Sequence, residues 1–399
     1  MTGRAVLALA PDASRSGAPR LLASLLARLV GAGEVDPARS RVVVGQHGPL
    51  EADLAASAPV RVLGRAALLG GPVAARAHPG ARTLGARIGV GLGLAAHPVL
   101  RDPGPPDVVW ANAAGALPLV AALPRRVGRA PLVAHVHELA IGLGRSLGGA
   151  EARRAFDPAD VVVAVSGAVR DHLVHDVGLP SERVVVHHGW VPDPALLRSP
   201  PPTARRPSAV PSDALVVLAC GALGWRKGTD MFLEVAHRLP RSIDGRPVHL
   251  VWVGGPARAG DDRRARAEVD LRGLGDRVHL GGEVPDAAAW LAGADVLVHP
   301  AREDAFPLAV LEAGALGVPV AGFRSGGIAE ALPPEDRDAS LADLFDLDGL
   351  TGRVEALLAD PRSRDRRGSA LQARVRAQHD PEHCTRALWA DVGRRLGWT

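Results

Sequence analysis

Residues 215–238 read LVVLACGALGWRKGTDMFLEVAHR, and three kinds of sequence follow one another there. Leu215–Cys220 is a continuous apolar run of strand length, as expected of a strand covered on both faces. Gly221, Gly224 and Gly228 then break the run, and glycine lets a backbone turn sharply or approach a ligand closely. A helix follows over 231–238. A helix start offers unpaired N–H groups and a positive dipole end. Arg226 and Lys227 add two cations at that point, so the stretch suits a diphosphate. An ordinary strand–helix turn with exposed cations is the plainer alternative.

The same alternation runs outward in both directions. Short β-branched runs occur at 5–10, 41–44, 60–63, 108–110, 132–135, 161–165 and 184–187, and again at 248–253, 278–280, 296–299 and 318–323. Ala/Leu-rich helical stretches separate them. Buried parallel strands alternating with helices define a doubly wound α/β fold. The chain has 399 residues, more than one core fills, so two domains are expected. Proline crowds the stretch between them, at Pro200, Pro201, Pro202, Pro207 and Pro211, where neither a sheet interior nor a helix tolerates it. The expected division is 1–195, a linker over 196–212, a second domain over 213–380, and a last helix over 381–399 packing back on the first.

Composition narrows the function. No apolar run is long enough to span a membrane. Cys220 and Cys384 are the only cysteines and form no disulfide framework, which fits a reducing cytoplasm. Residues 1–199 carry 21 arginines against 15 acidic residues. This excess suits an anionic acceptor or a membrane surface, or it reflects arginine drift in a GC-rich genome. No basic patch interleaved with aromatics points to nucleic acid. Of 47 basic residues apart from histidine, the only lysine is Lys227, and asparagine occurs only at Asn112. Arginine replaces a surface lysine easily but substitutes poorly for a compact ammonium in a tight site.

Further candidates follow. Asp304 precedes an apolar helix over 308–316 that carries Glu312. If the stretch between them were helical, the carboxylates would stand about 12 Å apart along the axis, a span matching a sugar and the ribose of its nucleotide. The alternatives are a helix cap for Asp304 and a buried ion pair for Glu312. Gly326 and Gly327 form another glycine turn at a helix start. His137, followed by Glu138, ends a first-domain strand, where ligands of doubly wound sheets bind. His135 should point into the layer packing. Gly17 follows the first strand without a GxGxxG motif, and the glycines at 89–93 have the wrong spacing for NAD. Asp336/Asp338 and Asp346/Asp348 resemble metal-binding pairs but are expected in solvent, as is the arginine-rich helix face at 362–376. No His/Cys/Asp cluster has metal spacing.

Together these stretches resemble the retaining family 4 glycosyltransferases of GT-B fold, over nearly the whole chain and most clearly from Gly221 to Glu330. The family's Glu-x7-Glu signature corresponds to Asp304 and Glu312 within DAFPLAVLEAGALGVPV. Lys227 matches the donor-phosphate lysine, SGGIAE at 325–330 a donor loop, ADVVVAVSGAVRDHL at 159–173 a first-domain segment, and His137 the active-site histidine.

The resemblance implies two Rossmann-like domains facing a cleft, a donor of UDP or GDP type, and front-face transfer with retention and without metal or cofactor. Lys227 and Arg226 would neutralise the departing diphosphate, and Glu312 would hold the ribose. Asp304, with the N–H groups of Ala305 and Phe306, would hold the sugar. His137 would contact that sugar, and Gly17 would approach the phosphates or acceptor. The departures are Asp304 for the first glutamate, Pro307 for a glycine, Ala222 for an arginine, and His188-Gly189 for Asn-Gly. The expected acceptor is a carbohydrate, lipid-linked or small molecule. A cytoplasmic enzyme with at most peripheral membrane contact follows. A GT-B epimerase or phosphorylase and a non-catalytic nucleotide-sugar-binding homologue are the competing readings.

Overall fold

A computed structural model describes residues 3–63, 105–121, 123, 127–148, 152–198 and 203–398. Residues 66–97, including the glycines at 89–93, and Pro200–Pro202 lie outside them. The chain forms two compact units, one running to Pro192 and resuming at Pro381, the other spanning Asp193–Asp380.

The first unit is built on a sheet of β1 (Val6–Asp12), β2 (Arg41–Gln46), β3 (Val60–Val62), β4 (Val108–Asn112), β5 (Leu132–Val136), β6 (Val161–Ala164) and β7 (Val184–Val186). All neighbours pair in parallel, in the order β3-β2-β1-β4-β5-β6-β7. The runs read as doubly covered strands are buried along almost their whole length in β1, β4, β5 and β6. After β1 the chain turns through Ser14 and Ser16 into α1 (Gly17–Gly31). The closing helix Pro381–Arg395 packs on α1 within this unit. It is pinned there by His187 Nε2 at 3.0 Å from Asp391 and by Trp389 beside Trp110.

The second unit repeats the scheme with β8 (Leu215–Cys220), β10 (Arg246–Val253), β11 (Val278–Gly282), β12 (Val296–His299), β13 (Val320–Phe323) and β14 (Leu341–Ala342) in the order β11-β10-β8-β12-β13-β14. A short β9 (Ser242–Ile243) adds antiparallel to β10. Neither β9 nor β14 is foreseen in the sequence, because two-residue strands carry no periodicity. β13 starts at Val320 rather than at 318, since Pro319 has no N–H to give the ladder.

By contacts, the chain from Asp193 on groups with the second unit. Arg205 N–H donates to Ala289 O, and Arg206 donates to Gly293 O and Ala214 O. Both sheets reverse their strand order at one place, β1/β4 and β8/β12. Such a switch point opens a crevice beyond the strand ends.

Candidate active site

At the second switch point the chain leaves β8 through a single 3₁₀ turn, Trp225–Lys227, into α2 (Thr229–Arg238). Gly228 joins them with a φ of 76°. A side chain there would also meet Pro300, since an added Cβ would stand 1.9 Å from its carbonyl oxygen. The turn is therefore clamped against the segment that leaves β12. Arg302 N–H donates to Arg226 O at 2.9 Å, and Arg226 Nη1 donates to Glu303 O at 2.6 Å. Arg302 forms a bidentate pair with Asp230 at 2.7 and 2.8 Å and lies over the exposed ring of Trp225.

The two clamped segments bring Lys227 Nζ into direct contact with Asp304 Oδ2. Asp304 is only 8% exposed, and His299 Nε2 lies 3.2 Å from the same oxygen. Burial by itself would raise the Asp304 carboxyl. The Lys227 ammonium, with His299 and Arg226 behind it, overrides burial and holds the group far below the usual carboxylate range. His299 is pushed down, chiefly by burial. The result is an ionised carboxylate facing an ammonium and a guanidinium at a helix entrance.

Asp304 and Glu312 do not share a helix, so an axial separation cannot be counted between them. Residues 302–307 are irregular, and α3 runs Leu308–Ala315. Pro307 occupies the cap position with no side-chain bond, so Asp304 is not a cap either. The proline forbids helix upstream of it, because the residue before a proline is driven out of the helical region. Glu312 is 4% exposed on an otherwise apolar helix. Gly326 and Gly327 fold onto the same segment: Gly327 N–H donates to Asp304 O at 3.1 Å and Ser325 Oγ to Arg302 O at 2.7 Å. Ala305 and Phe306 are buried in that segment. No described group accepts from the Ala305 N–H.

At the first unit's switch point stand Gly17, Asn112 and His137. Gly17 opens α1 behind Ser16, whose side chain makes no cap bond. The His137 N–H donates to Glu138 Oε2 at 2.9 Å, and its Nε2 lies 3.2 Å from Asn112 Oδ1. Burial pushes His137 down to about 3. His135 is enclosed, edge-on to Trp110 and 4.2 Å from the His137 ring.

Asn112, His299 and Arg302 were not singled out from sequence for these positions. Asn112 carried the same signal as Lys227, a lone survivor of its type. His299 and Arg302 carried none, since neither type is rare here.

Asp336 corrects one surface expectation, while the arginine-rich helix keeps a solvated face, with Arg362, Arg366 and Arg376 exposed. Asp336 is buried and paired with Arg366 at 3.2 Å, while Asp338 is exposed. The arginine-rich helix α4 (Pro361–Gln378) packs on α3, with Arg364 paired to Asp295 at 3.4 Å and Arg374 donating to Glu330 O. A helix that must bury a stripe against α3 draws its long arginine stems over that contact. Among the described residues no group of three or more His, Cys, Asp or Glu side chains gathers as a metal site, and no helix is long and apolar enough to cross a membrane.

Comparison with known proteins gives a consistent answer. The family model described as Glycosyltransferase Family 4 matches residues 51–193, and Glycosyl transferases group 1 matches residues 214–360. The GDP-mannose-dependent alpha-(1-6)-phosphatidylinositol monomannoside mannosyltransferase of Mycolicibacterium smegmatis is 31% identical over 64% of this chain and 68% of its own length. A D-inositol 3-phosphate glycosyltransferase of Catenulispora acidiphila is 30% identical over 59% of this chain, which spans 60% of that protein. The crystal structure of Anabaena HepE with UDP and glucose shares the fold, with a TM-score of 0.75 at 19% identity over 98% of this chain and 99% of that one. Sucrose-phosphate synthase of Thermosynechococcus elongatus does so with a TM-score of 0.73 at 18% identity, over 99% and 100%. A repeated Rossmann-like sheet, family matches in both units and a relative aligned over two thirds of its length lead to one assignment: the chain belongs to the family 4 glycosyltransferases of GT-B fold.

Proposed function

We propose that this glycosyltransferase takes a hexosyl group from a UDP- or GDP-type sugar and transfers it, with retention at the anomeric carbon, to a carbohydrate, lipid-linked or small-molecule acceptor. The observation that carries the donor half is the contact of Lys227 with Asp304, beside Arg226, at the second unit's switch point. A diphosphate leaving group gains negative charge as the glycosidic bond breaks. A fixed ammonium and guanidinium at a helix entrance stabilise that charge more than the ground state.

In this reading Lys227 and Arg226 bind the diphosphate and Glu312 the ribose hydroxyls. Asp304 and the N–H groups of Ala305 and Phe306 hold the sugar, with Gly326 and Gly327 admitting the ligand close to the backbone. In the free enzyme Asp304 occupies the lysine, and the arriving diphosphate shares it. Gly17 approaches phosphate or acceptor, and His137 contacts the sugar. The reaction uses front-face attack and assigns no role to a metal. It takes place in the cytoplasm, with at most peripheral membrane contact.

The test is a thermal-shift panel of nucleotide-diphosphate sugars, with GDP-mannose first because the mycobacterial relative is named for it. Turnover with the binding donor and NMR of the product anomer follow. Stabilisation by one nucleotide class and a retained anomer are expected; no stabilisation by any donor, or an inverted product, overturns the reading.

A further inference from the structure

The first unit's switch point contains a short hydrogen-bonded chain whose directions are forced. The carbonyl oxygen of Ala18, in the first turn of α1, can only accept, and Asn112 Nδ2 lies 2.9 Å from it. The amide nitrogen of Asn112 must face that carbonyl, so its Oδ1 faces the other way, to His137 Nε2 at 3.2 Å. Oδ1 is an acceptor only, so Nε2 must carry the proton. Asn112 is fully buried, and water cannot take over either bond.

The surroundings hold this arrangement in place. Glu138 accepts from the N–H groups of both His137 and Ala114. Ala113, between Asn112 and Ala114, has a φ of 78°, a strained conformation that persists only where its surroundings impose it. The His135 ring closes one side of His137. With burial keeping His137 uncharged well below neutrality, what remains to be set is its tautomer. No described group bonds Nδ1 of His137.

We infer that Asn112 is the positioning residue of His137: it fixes the neutral imidazole as the Nε2–H tautomer, leaving the Nδ1 lone pair to accept a hydrogen bond from a sugar hydroxyl. The second half rests on His137 being the sugar-contacting residue. An imidazole so fixed discriminates by chemistry. At Nδ1 it takes a hydroxyl, which can donate, and repels a phosphate or carbonyl oxygen, which cannot.

The experiment is ¹⁵N NMR of the histidine rings in the full chain, with His137 assigned through its loss in His137→Gln. Wild type should show a proton on Nε2 that exchanges slowly with water, and a bare Nδ1. In Asn112→Ala, exchange at Nε2 should quicken and the tautomers mix. The same variant should lose about tenfold or more in kcat, with donor KM changed much less. Asn112→Asp keeps an acceptor toward Nε2 and loses the donor toward Ala18, so it should restore the tautomer. Circular dichroism on each variant separates these effects from unfolding. A proton on Nδ1 in wild type, or an Asn112→Ala variant with tautomer and kcat unchanged, overturns the inference. The spectra do not depend on turnover. An Nε2–H tautomer in a chain that turns over no donor therefore sinks the glycosyl-transfer reading and leaves the role of Asn112 standing.

Discussion

Removing the ammonium of Lys227 should do two separable things. The Asp304 carboxylate it contacts is buried and held ionised mainly by that contact. In Lys227→Met the carboxylate loses its main partner and keeps only His299 and the field of Arg226, and breaking one side of a buried pair costs about 3–5 kcal/mol. Both side chains retain some exposure, 20% for Lys227 and 12% for Asp304, so the lower figure applies. At about 1.4 kcal/mol per factor of ten, 3 kcal/mol raises the population of opened second unit by about a hundredfold. Transfer should also fall by about 10²–10³ in kcat, the usual cost of losing one donor to a developing anion. Asp304→Asn in the same background removes the orphaned charge, so the double variant should recover most of the stability. It should recover none of the turnover. Peptide-resolved hydrogen exchange reads the second unit apart from the first, which a single unfolding curve for a two-unit chain would not. A coupling of about 1.5–3 kcal/mol between the substitutions is expected for groups in contact. If the double variant regained turnover along with stability, the ammonium would be a neutraliser of Asp304 only, and its assignment to the diphosphate would fall.

Gly228→Ala combines a left-handed φ with a clash on Pro300 O. It should destabilise the second unit by more than about 3 kcal/mol, read by the same exchange experiment. Arg302→Lys loses the bidentate grip on Asp230 and the guanidinium placed over the Trp225 ring. Asp230 is 41% exposed, which limits the stability loss to about 1 kcal/mol; a twofold or smaller change in donor affinity is not expected if Arg302 orders the Trp225–Lys227 turn. His137 has a folded pKa of about 3 against an ordinary 6.5. The unfolded chain therefore binds its proton first as pH falls. The first unit should lose stability between those two values, by up to about 1.4 kcal/mol per pH unit. His137→Gln should flatten that slope, and an unchanged slope would assign the effect to His135, which burial pushes down as well.

The sheets were legible because their strands are apolar on both faces, and every long β-branched run became a strand. The contacts of the site were not, because they depend on strand order. Lys227 and Asp304 are 77 residues apart and meet only because β12 lies beside β8 and not beside β11. Chain order gives no sign of that reversal, which arises from how right-handed crossovers cover both faces of the sheet. The helix assumed between Asp304 and Glu312 failed at one residue, Pro307, whose effect on its predecessor was available from sequence alone.

The rarest residues were better guides than the motifs. Lysine and asparagine each occur once: Asn112 is the last residue of β4, and Lys227 lies in the turn between β8 and α2. Each requires what its substitutes lack. An ammonium is a compact charge with three rotatable donors, and at Lys227 it meets the Asp304 carboxylate in a way that a planar guanidinium fork does not reproduce. A carboxamide can give a proton to Ala18 and receive one from His137 across a single planar group, which neither aspartate nor a hydroxyl reproduces in fixed orientation. Composition that is uninformative about most of the surface thus becomes specific where the chemistry admits one side chain. The two survivors mark the two switch points.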